Sequence, residues 1–156
     1  MYTYQSLQTS DLPMIATFPQ NEDELFYMFP SAIYPLTPEQ ILKNLPNRLE
    51  PTVIMHGATV ACYANFYKDD NKDCWLGNVI VSPDYRGKGA ASFLIGTMEM
   101  IAKEKLNVTK LNLLCHNTNT RGLLFYKKLG YKPFDISLRF RPSGEHVACV
   151  HMEKHL

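Results

Sequence analysis

Residues 78–92 constrain this chain more than any other segment, because they run from an apolar strand through a glycine-rich loop into a helix. Gly87 and Gly89 allow the backbone to approach a ligand closely. The first N–H groups of the helix have no partner within it, and the helix dipole favours negative charge there. Arg86 and Lys88 add positive charge beside those groups. The segment therefore predicts a phosphate-binding site at the start of a helix.

Two common nucleotide-binding motifs do not fit this segment. Residues 87–92 resemble the dinucleotide fingerprint, but Ser92 stands where its last glycine belongs. The preceding strands are predicted to be antiparallel, and residues 105–134 contain no acid that could bind a ribose. A P-loop is excluded as well, because the glycine required five residues before a Gly-Lys pair is missing.

The remaining sequence predicts one domain over residues 1–156, with a helical first third, an antiparallel meander and a helix–strand–helix–strand unit. Helix starts are indicated at Ser10-Asp11, at Asn21 with Glu24 three positions later, and at Thr37-Pro38. The predicted strands are residues 2–7, 52–55, 59–67, 74–82, 109–116, 131–140 and 146–152, and the later helices are 89–104 and 119–129.

Two separated motifs resemble the GCN5-related N-acetyltransferases (GNAT family). The first reads Val81-Ser82-Pro83 followed by Arg86-x-x-Gly89-x-Ala91, between a strand and a helix. The second consists of Asn119, Gly122, Tyr126, Gly130 and Tyr131 in the family register. The resemblance implies an α/β fold of the α+β type, with a mixed, mostly antiparallel central sheet flanked by helices.

The resemblance also implies that the chain binds acetyl-CoA as a co-substrate. The pyrophosphate would lie on the loop and helix start, the pantetheine arm would pair with the preceding strand, and Asn119 would help to hold that arm. The N–H of Val81 would face the thioester carbonyl. The residues expected to bind acetyl-CoA are Val79, Ile80, Val81, Arg86, Gly87, Lys88, Gly89, Ala90, Ala91, Ser92 and Asn119.

Two residues are candidates for proton transfer. Tyr126 matches the general acid of the family, because a phenol stays protonated at neutral pH and can donate to the departing thiolate; the alternative is that it only packs on its helix. The glutamate base that some family members carry has no counterpart near Leu113–Cys115, so His116 is the nearest candidate. A water chain to bulk solvent is the alternative route for the proton.

Other reactive residues are better explained by structure. Cys115 and His116 are neighbours on a strand and therefore point to opposite faces, which argues against a nucleophile–base pair. His151 and His155 lie four apart, but on a predicted strand and chain end, so no metal site is expected. The run Glu22-Asp23-Glu24, near several aromatic residues, either attracts a cationic amine or only stabilises a helix start.

We therefore expect an N-acetyltransferase that transfers an acetyl group directly from acetyl-CoA to a primary amine, either a small molecule or a peptide N-terminus. The alternative is a non-catalytic acyl-CoA-binding sensor or regulatory module. Sixteen basic and fifteen acidic residues argue against a nucleic-acid or membrane partner. Four scattered cysteines and no visible signal peptide favour the cytoplasm. The acceptor amine is not readable, and the sequence leaves open whether the chain forms a homodimer.

Overall fold

The computed structural model describes residues 1–156, and it contains one seven-stranded sheet and five α-helices. The strands are β1 (Tyr2–Ser6), β2 (Leu49–His56), β3 (Thr59–Lys68), β4 (Cys74–Val81), β5 (Lys110–His116), β6 (Lys132–Phe140) and β7 (His146–His155). The helices are α1 (Leu12–Ala16), α2 (Glu22–Met28), α3 (Pro38–Asn44), α4 (Ala90–Glu104) and α5 (Thr120–Lys128).

The strand order across the sheet is β1-β2-β3-β4-β5-β7-β6. Five of the six neighbouring pairs are antiparallel, and only β4 and β5 run parallel. Helix α4 connects these two parallel strands, as a parallel connection requires. The predicted fold, a mixed and mostly antiparallel sheet flanked by helices, is confirmed.

The helices begin at the residues that the sequence indicates. The side chain of Asn21 accepts a hydrogen bond from the N–H of Glu24, and Thr37 caps α3 in the same way through Gln40. The Glu24 carboxylate accepts the N–H of Gln20 instead of that of Asn21. The reciprocal bond of a capping box is therefore made one residue earlier than the sequence predicts.

Two apolar clusters lie on opposite faces of the sheet, because successive side chains of a strand alternate between faces. The larger cluster packs α4 against β3, β4 and β5 through residues such as Leu94, Met98 and Leu113. The smaller cluster packs the N-terminal helices against β2 and β3 through Ile15 and Tyr63. The helical first third therefore covers one face near β4.

The last strand, β7, continues to His155, three residues beyond the predicted end at Met152. The chain end does not fray, because β5 pairs with β7 over its whole length, from Lys110 opposite His155 to His116 opposite Cys149. None of the helices combines the length and the hydrophobicity that crossing a membrane would require.

Candidate active site

The site forms where the two parallel strands separate. Strands β4 and β5 are in register only at Trp75–Asn112 and Leu76–Leu113, and beyond this point they diverge. The N–H of Ser82 donates to the carbonyl of Ala61 in β3. Because the N–H groups of a strand point alternately to its two sides, that of Val81 points away from β3, into the gap.

A bulge at Asn78 accompanies this separation. Asn78 has a φ of 51°, and the register between β3 and β4 shifts at this point. Its side-chain oxygen accepts hydrogen bonds from the amides of Asn65, at 2.8 Å, and Asn44, at 3.0 Å. Its amide group donates to the carbonyl of Met28 at 2.8 Å. One buried side chain thus ties the bulge to β3 and to the ends of α2 and α3.

A cavity of about 850 Å³ occupies the gap. It is lined by residues of β4, the loop before α4, the end of β5, the start of α5 and one side of α2. Nine of the eleven residues expected to bind acetyl-CoA line it: Val79, Ile80, Val81, Arg86, Gly87, Gly89, Ala91, Ser92 and Asn119. Ala90 and Lys88 do not line it. Ala90 is buried in the core, and the ammonium group of Lys88 donates a hydrogen bond to the carbonyl of Asp84.

The glycine-rich loop leads into α4 with free N–H groups. Gly89 is the residue before the helix and has a φ of 81°, and no side chain caps this end. Gly87 also has a positive φ, and it lines the cavity together with Gly89, Ala91 and Ser92. Uncapped N–H groups at the start of a 15-residue helix suit an anionic group, so this part of the cavity fits the phosphates of a coenzyme.

The side chain of Arg86 forms hydrogen bonds to other parts of the protein. The sequence predicts this residue to lie beside the phosphates. Its guanidinium group contacts the Glu24 carboxylate at 2.8 Å and 3.1 Å, and its Nε donates to the carbonyl of Val81 at 3.2 Å. Burial alone would raise the pKa of Glu24, but the hydrogen bonds from Arg86 and from the N–H of Gln20, together with the charge of Arg86, lower it overall. Arg86 therefore joins α2 to the end of β4, and its charge is compensated.

Tyr126 lies on α5 and lines the wall of the cavity formed by β5 and α5. Its ring packs edge-on against Tyr131, with the ring centres 5.9 Å apart. Burial, with a smaller contribution from Cys115, raises its pKa above the ordinary value of 10. Tyr126 is therefore a protonated phenol at neutral pH.

His116, the candidate base, ends β5 and lines the same cavity, but it is only 3% exposed. Its ring packs against Phe26 and Tyr27, and its Nε2 lies 3.2 Å from the guanidinium group of Arg139. Because arginine can only donate, Nε2 accepts and the imidazole proton lies on Nδ1. Burial, with the charges of Arg139 and Arg141, lowers its pKa to about 4. His116 is thus neutral with its lone pair engaged, and its role as a base stays a prediction.

Of the remaining candidates, Cys115 lines the cavity and His151 does not. Cys115 is buried in the larger core, where burial raises its pKa to about 12, so this thiol is not an activated nucleophile. His151 pairs with Ser137 on the neighbouring strand at 2.8 Å. No group of three or more histidine, cysteine, aspartate or glutamate side chains is arranged to hold a metal ion.

Three residues of the cavity belong to no sequence motif, although Tyr27 is one of the aromatic residues noted beside the acidic run of α2. Tyr27 stacks on His116 and its hydroxyl contacts that of Thr118 at 3.0 Å, which connects α2 to the loop before α5. Met28 and Leu114 also line the cavity. A turn motif or cap would reveal a residue by local spacing, but these three are brought together only by the packing of α2 over the end of β5.

Comparisons with known proteins agree with this architecture. Residues 14–131 match the family model described as "Acetyltransferase (GNAT) family". The fold is similar to a ribosomal-protein-alanine N-acetyltransferase from Brucella melitensis, with 18% identity, a TM-score of 0.79 and 99% of each chain covered. No curated protein sequence matches the chain.

Two further structures share the fold. A spermidine N-acetyltransferase from Vibrio cholerae has 16% identity and a TM-score of 0.77, with 99% of this chain and 93% of that one covered. A GNAT family acetyltransferase from Elizabethkingia anophelis, with acetyl-CoA bound, has 19% identity and a TM-score of 0.70, with 99% and 98% covered. The chain belongs to the GNAT acetyltransferase family, whose members use acetyl-CoA as the acetyl donor.

Proposed function

We propose that this protein transfers the acetyl group of acetyl-CoA directly to a primary amine within a ternary complex. The observation that carries the proposal is the cavity in the gap between β4 and β5, which joins a strand edge, an uncapped helix start and a protonated tyrosine. The strand edge at Val79–Val81 suits the amide-bearing pantetheine arm, as an added strand. The loop and the start of α4 suit the phosphates.

In the proposed reaction, the ammonium form of the acceptor loses one proton and its neutral nitrogen attacks the thioester carbon. The carbonyl oxygen gains negative charge, which the N–H of Val81 stabilises from the edge of the gap. The C–S bond then breaks, and the sulfur leaves with the electron pair and takes the phenol proton of Tyr126. The nitrogen gives up its second proton to form the amide, and a proton from solvent restores the phenol. Asn119, which caps α5 through the N–H of Gly122 at 3.0 Å, holds the start of the helix that carries Tyr126.

The proton of the amine has two routes out of the site. His116 lines the cavity, but in the present arrangement its Nε2 accepts from Arg139. We propose that His116 takes the proton only after this contact is broken, and that water carries it otherwise. His116→Gln tests the first route, because it keeps a polar side chain without a titratable nitrogen, and a rate unchanged across pH 6–9 would assign the proton to water.

The central experiment measures release of the CoA thiol from acetyl-CoA against a panel of amines and peptides with free N-termini. Tyr126→Phe should lower turnover about 10²-fold or more, within the range for general acid catalysis, and leave acetyl-CoA affinity nearly unchanged. Equal rates in both proteins would remove Tyr126 from the reaction. A sensor or regulatory module would bind acetyl-CoA by calorimetry and turn over no amine.

A further inference from the structure

The acidic run of α2 is neutralised by arginines from other elements. Glu24 pairs with Arg86 at 2.8 Å, and Asp23 pairs with Arg141 from the loop after β6. Glu22 makes no ion pair, but it lines a separate cavity of about 380 Å³ beside Tyr34 and Arg141. The wall of the active-site cavity near α2 therefore presents no uncompensated negative charge to an approaching amine.

Two arginines on the sheet face that carries His116 have no carboxylate partner. Arg139, on β6, directs its guanidinium group to His116 and forms no ion pair. Arg48 also forms no ion pair and lies over the ring of Tyr67, 4.5 Å from its centre. Burial raises the pKa of Tyr67, the charges of Arg48 and Arg139 act against this rise, and the charge of Asp69 adds to it. The Asp69 carboxylate accepts the indole N–H of Trp75 at 2.9 Å, so the charge that directly contacts His116 without a carboxylate partner is that of Arg139.

We propose that the acceptor amine also carries a carboxylate, and that Arg139 binds this carboxylate and thereby determines acceptor specificity. The inference rests on the proposed acetyl transfer and adds the substrate class. A guanidinium group binds a carboxylate through two parallel hydrogen bonds, which a neutral imidazole nitrogen cannot match. Arg139 does not itself line the cavity, but its guanidinium group lies 3.2 Å from Nε2 of His116, which does, so a carboxylate at Arg139 would be one side chain away from the space where the amine reacts.

The same contact connects acceptor binding to His116. When a carboxylate takes the N–H groups of Arg139, the Nε2 lone pair of His116 is released and can accept the proton of the amine. A polyamine offers no such group and brings further positive charge toward two uncompensated arginines, which is unfavourable. The arrangement thus favours zwitterionic amines, such as amino acids and short acidic peptides, over polycations.

The test compares matched acceptors in matched variants. Free amino acids and their C-terminal amides share the amine and differ in the carboxylate, and spermidine serves as the polycation. Wild-type protein, Arg139→Gln, Arg139→Lys and Lys132→Gln are assayed for kcat/KM by thiol release. Lys132 is the control because it is exposed on the same strand, so its replacement removes the same charge away from His116.

We expect Arg139→Gln to lower kcat/KM for amino acids about 10- to 100-fold, the usual effect of losing a charged hydrogen bond. The kcat/KM values for the amides should be unchanged, because the amides lack the carboxylate that Arg139 is proposed to bind. Each acceptor is compared between variant and wild type, so differences in amine reactivity cancel. Lys132→Gln should affect neither series. Arg139→Lys should show an intermediate loss for acids only, and it replaces the glutamine variant in the test if that variant does not fold.

The inference is overturned if Arg139→Gln lowers kcat/KM equally for the amino acids and for their amides. It is also overturned if spermidine is acetylated with a higher kcat/KM than every carboxylate-bearing amine. In either case acetyl transfer itself stands. If acetyl-CoA binds but no amine of any class releases thiol, the proposed function fails, and the inference fails with it.

Discussion

Replacing Asn78 separates two contributions to the bulge in β4, its hydrogen bonds and its backbone conformation. The side chain makes three hydrogen bonds at 2.8–3.0 Å, is 8% exposed, and belongs to a residue with a φ of 51°. At about 1 kcal/mol for each bond, either alanine or glycine should cost about 3 kcal/mol of the free energy of unfolding. Alanine should cost about 1 kcal/mol more, because its Cβ is strained at positive φ whereas glycine is not.

Urea unfolding measures both contributions. With a slope of about 2 kcal/mol/M, the midpoint should fall by about 2 M for Asn78→Ala and about 1.5 M for Asn78→Gly. Asn107 is the matched control, because it has a φ of 53° but is exposed and forms no side-chain hydrogen bond. Asn107→Ala should therefore cost about 1 kcal/mol, and Asn107→Gly close to nothing.

The reasoning is refuted if the urea midpoints of both Asn78 variants lie within about 0.5 M of the wild-type midpoint, because the expected shifts are about 1.5 M or more. If Asn78→Ala and Asn78→Gly are equally destabilised while the Asn107 pair differs by about 1 kcal/mol, the bulge relaxes on mutation and stores no strain.

Three further predictions concern titration. Because the folded-state pKa of Glu24 is lowered, the ionised carboxylate stabilises the fold at pH values above its ordinary pKa of 4.5. This stabilisation is lost as the pH falls through the lower folded-state pKa. Urea unfolding at different pH values should show the loss for wild type and not for Glu24→Gln. His116 has an ordinary pKa of 6.5 and a folded-state pKa of about 4, so the unfolded chain binds its proton first and stability should fall between pH 6.5 and 4, a slope that His116→Gln should remove. All four cysteines are buried, and burial raises the pKa of Cys62 and Cys115 to about 12 and that of Cys74 to about 11. A disulfide reagent at pH 8 should therefore label the thiols only after denaturation. Rapid labelling of the native protein would contradict this expectation.

Local features of the sequence predicted local structure well. The caps at Asn21, Thr37 and Asn119 are each made by a side chain and a backbone N–H three residues later, so short-range spacing contains the information. The glycine-rich loop is equally local, since Gly87 and Gly89 take the positive φ that glycine favours. These are the parts of the site that one segment of chain determines.

The rest of the site depends on segments that are distant in sequence. The ion pair between Glu24 and Arg86 joins residues 62 positions apart and connects the loop before α4 to α2, and the phosphate contact expected of Arg86 stays a prediction. The bulge in β4 that accompanies its separation from β5 is formed by an asparagine at positive φ, which is hydrogen-bonded to three other elements. Such contacts have no periodicity or motif, so composition and pattern could not predict them.

The divergence of β4 and β5 gives this sheet an edge in its interior, in addition to the outer edges at β1 and β6. A molecule that pairs with this inner edge binds the folded chain and not the unfolded one, so it stabilises the fold by mass action. At a concentration 100 times its Kd, such a molecule adds about 2.7 kcal/mol. The melting temperature would therefore report coenzyme binding without any acceptor present, and the protein should survive heat or proteolysis best where acyl-CoA is abundant.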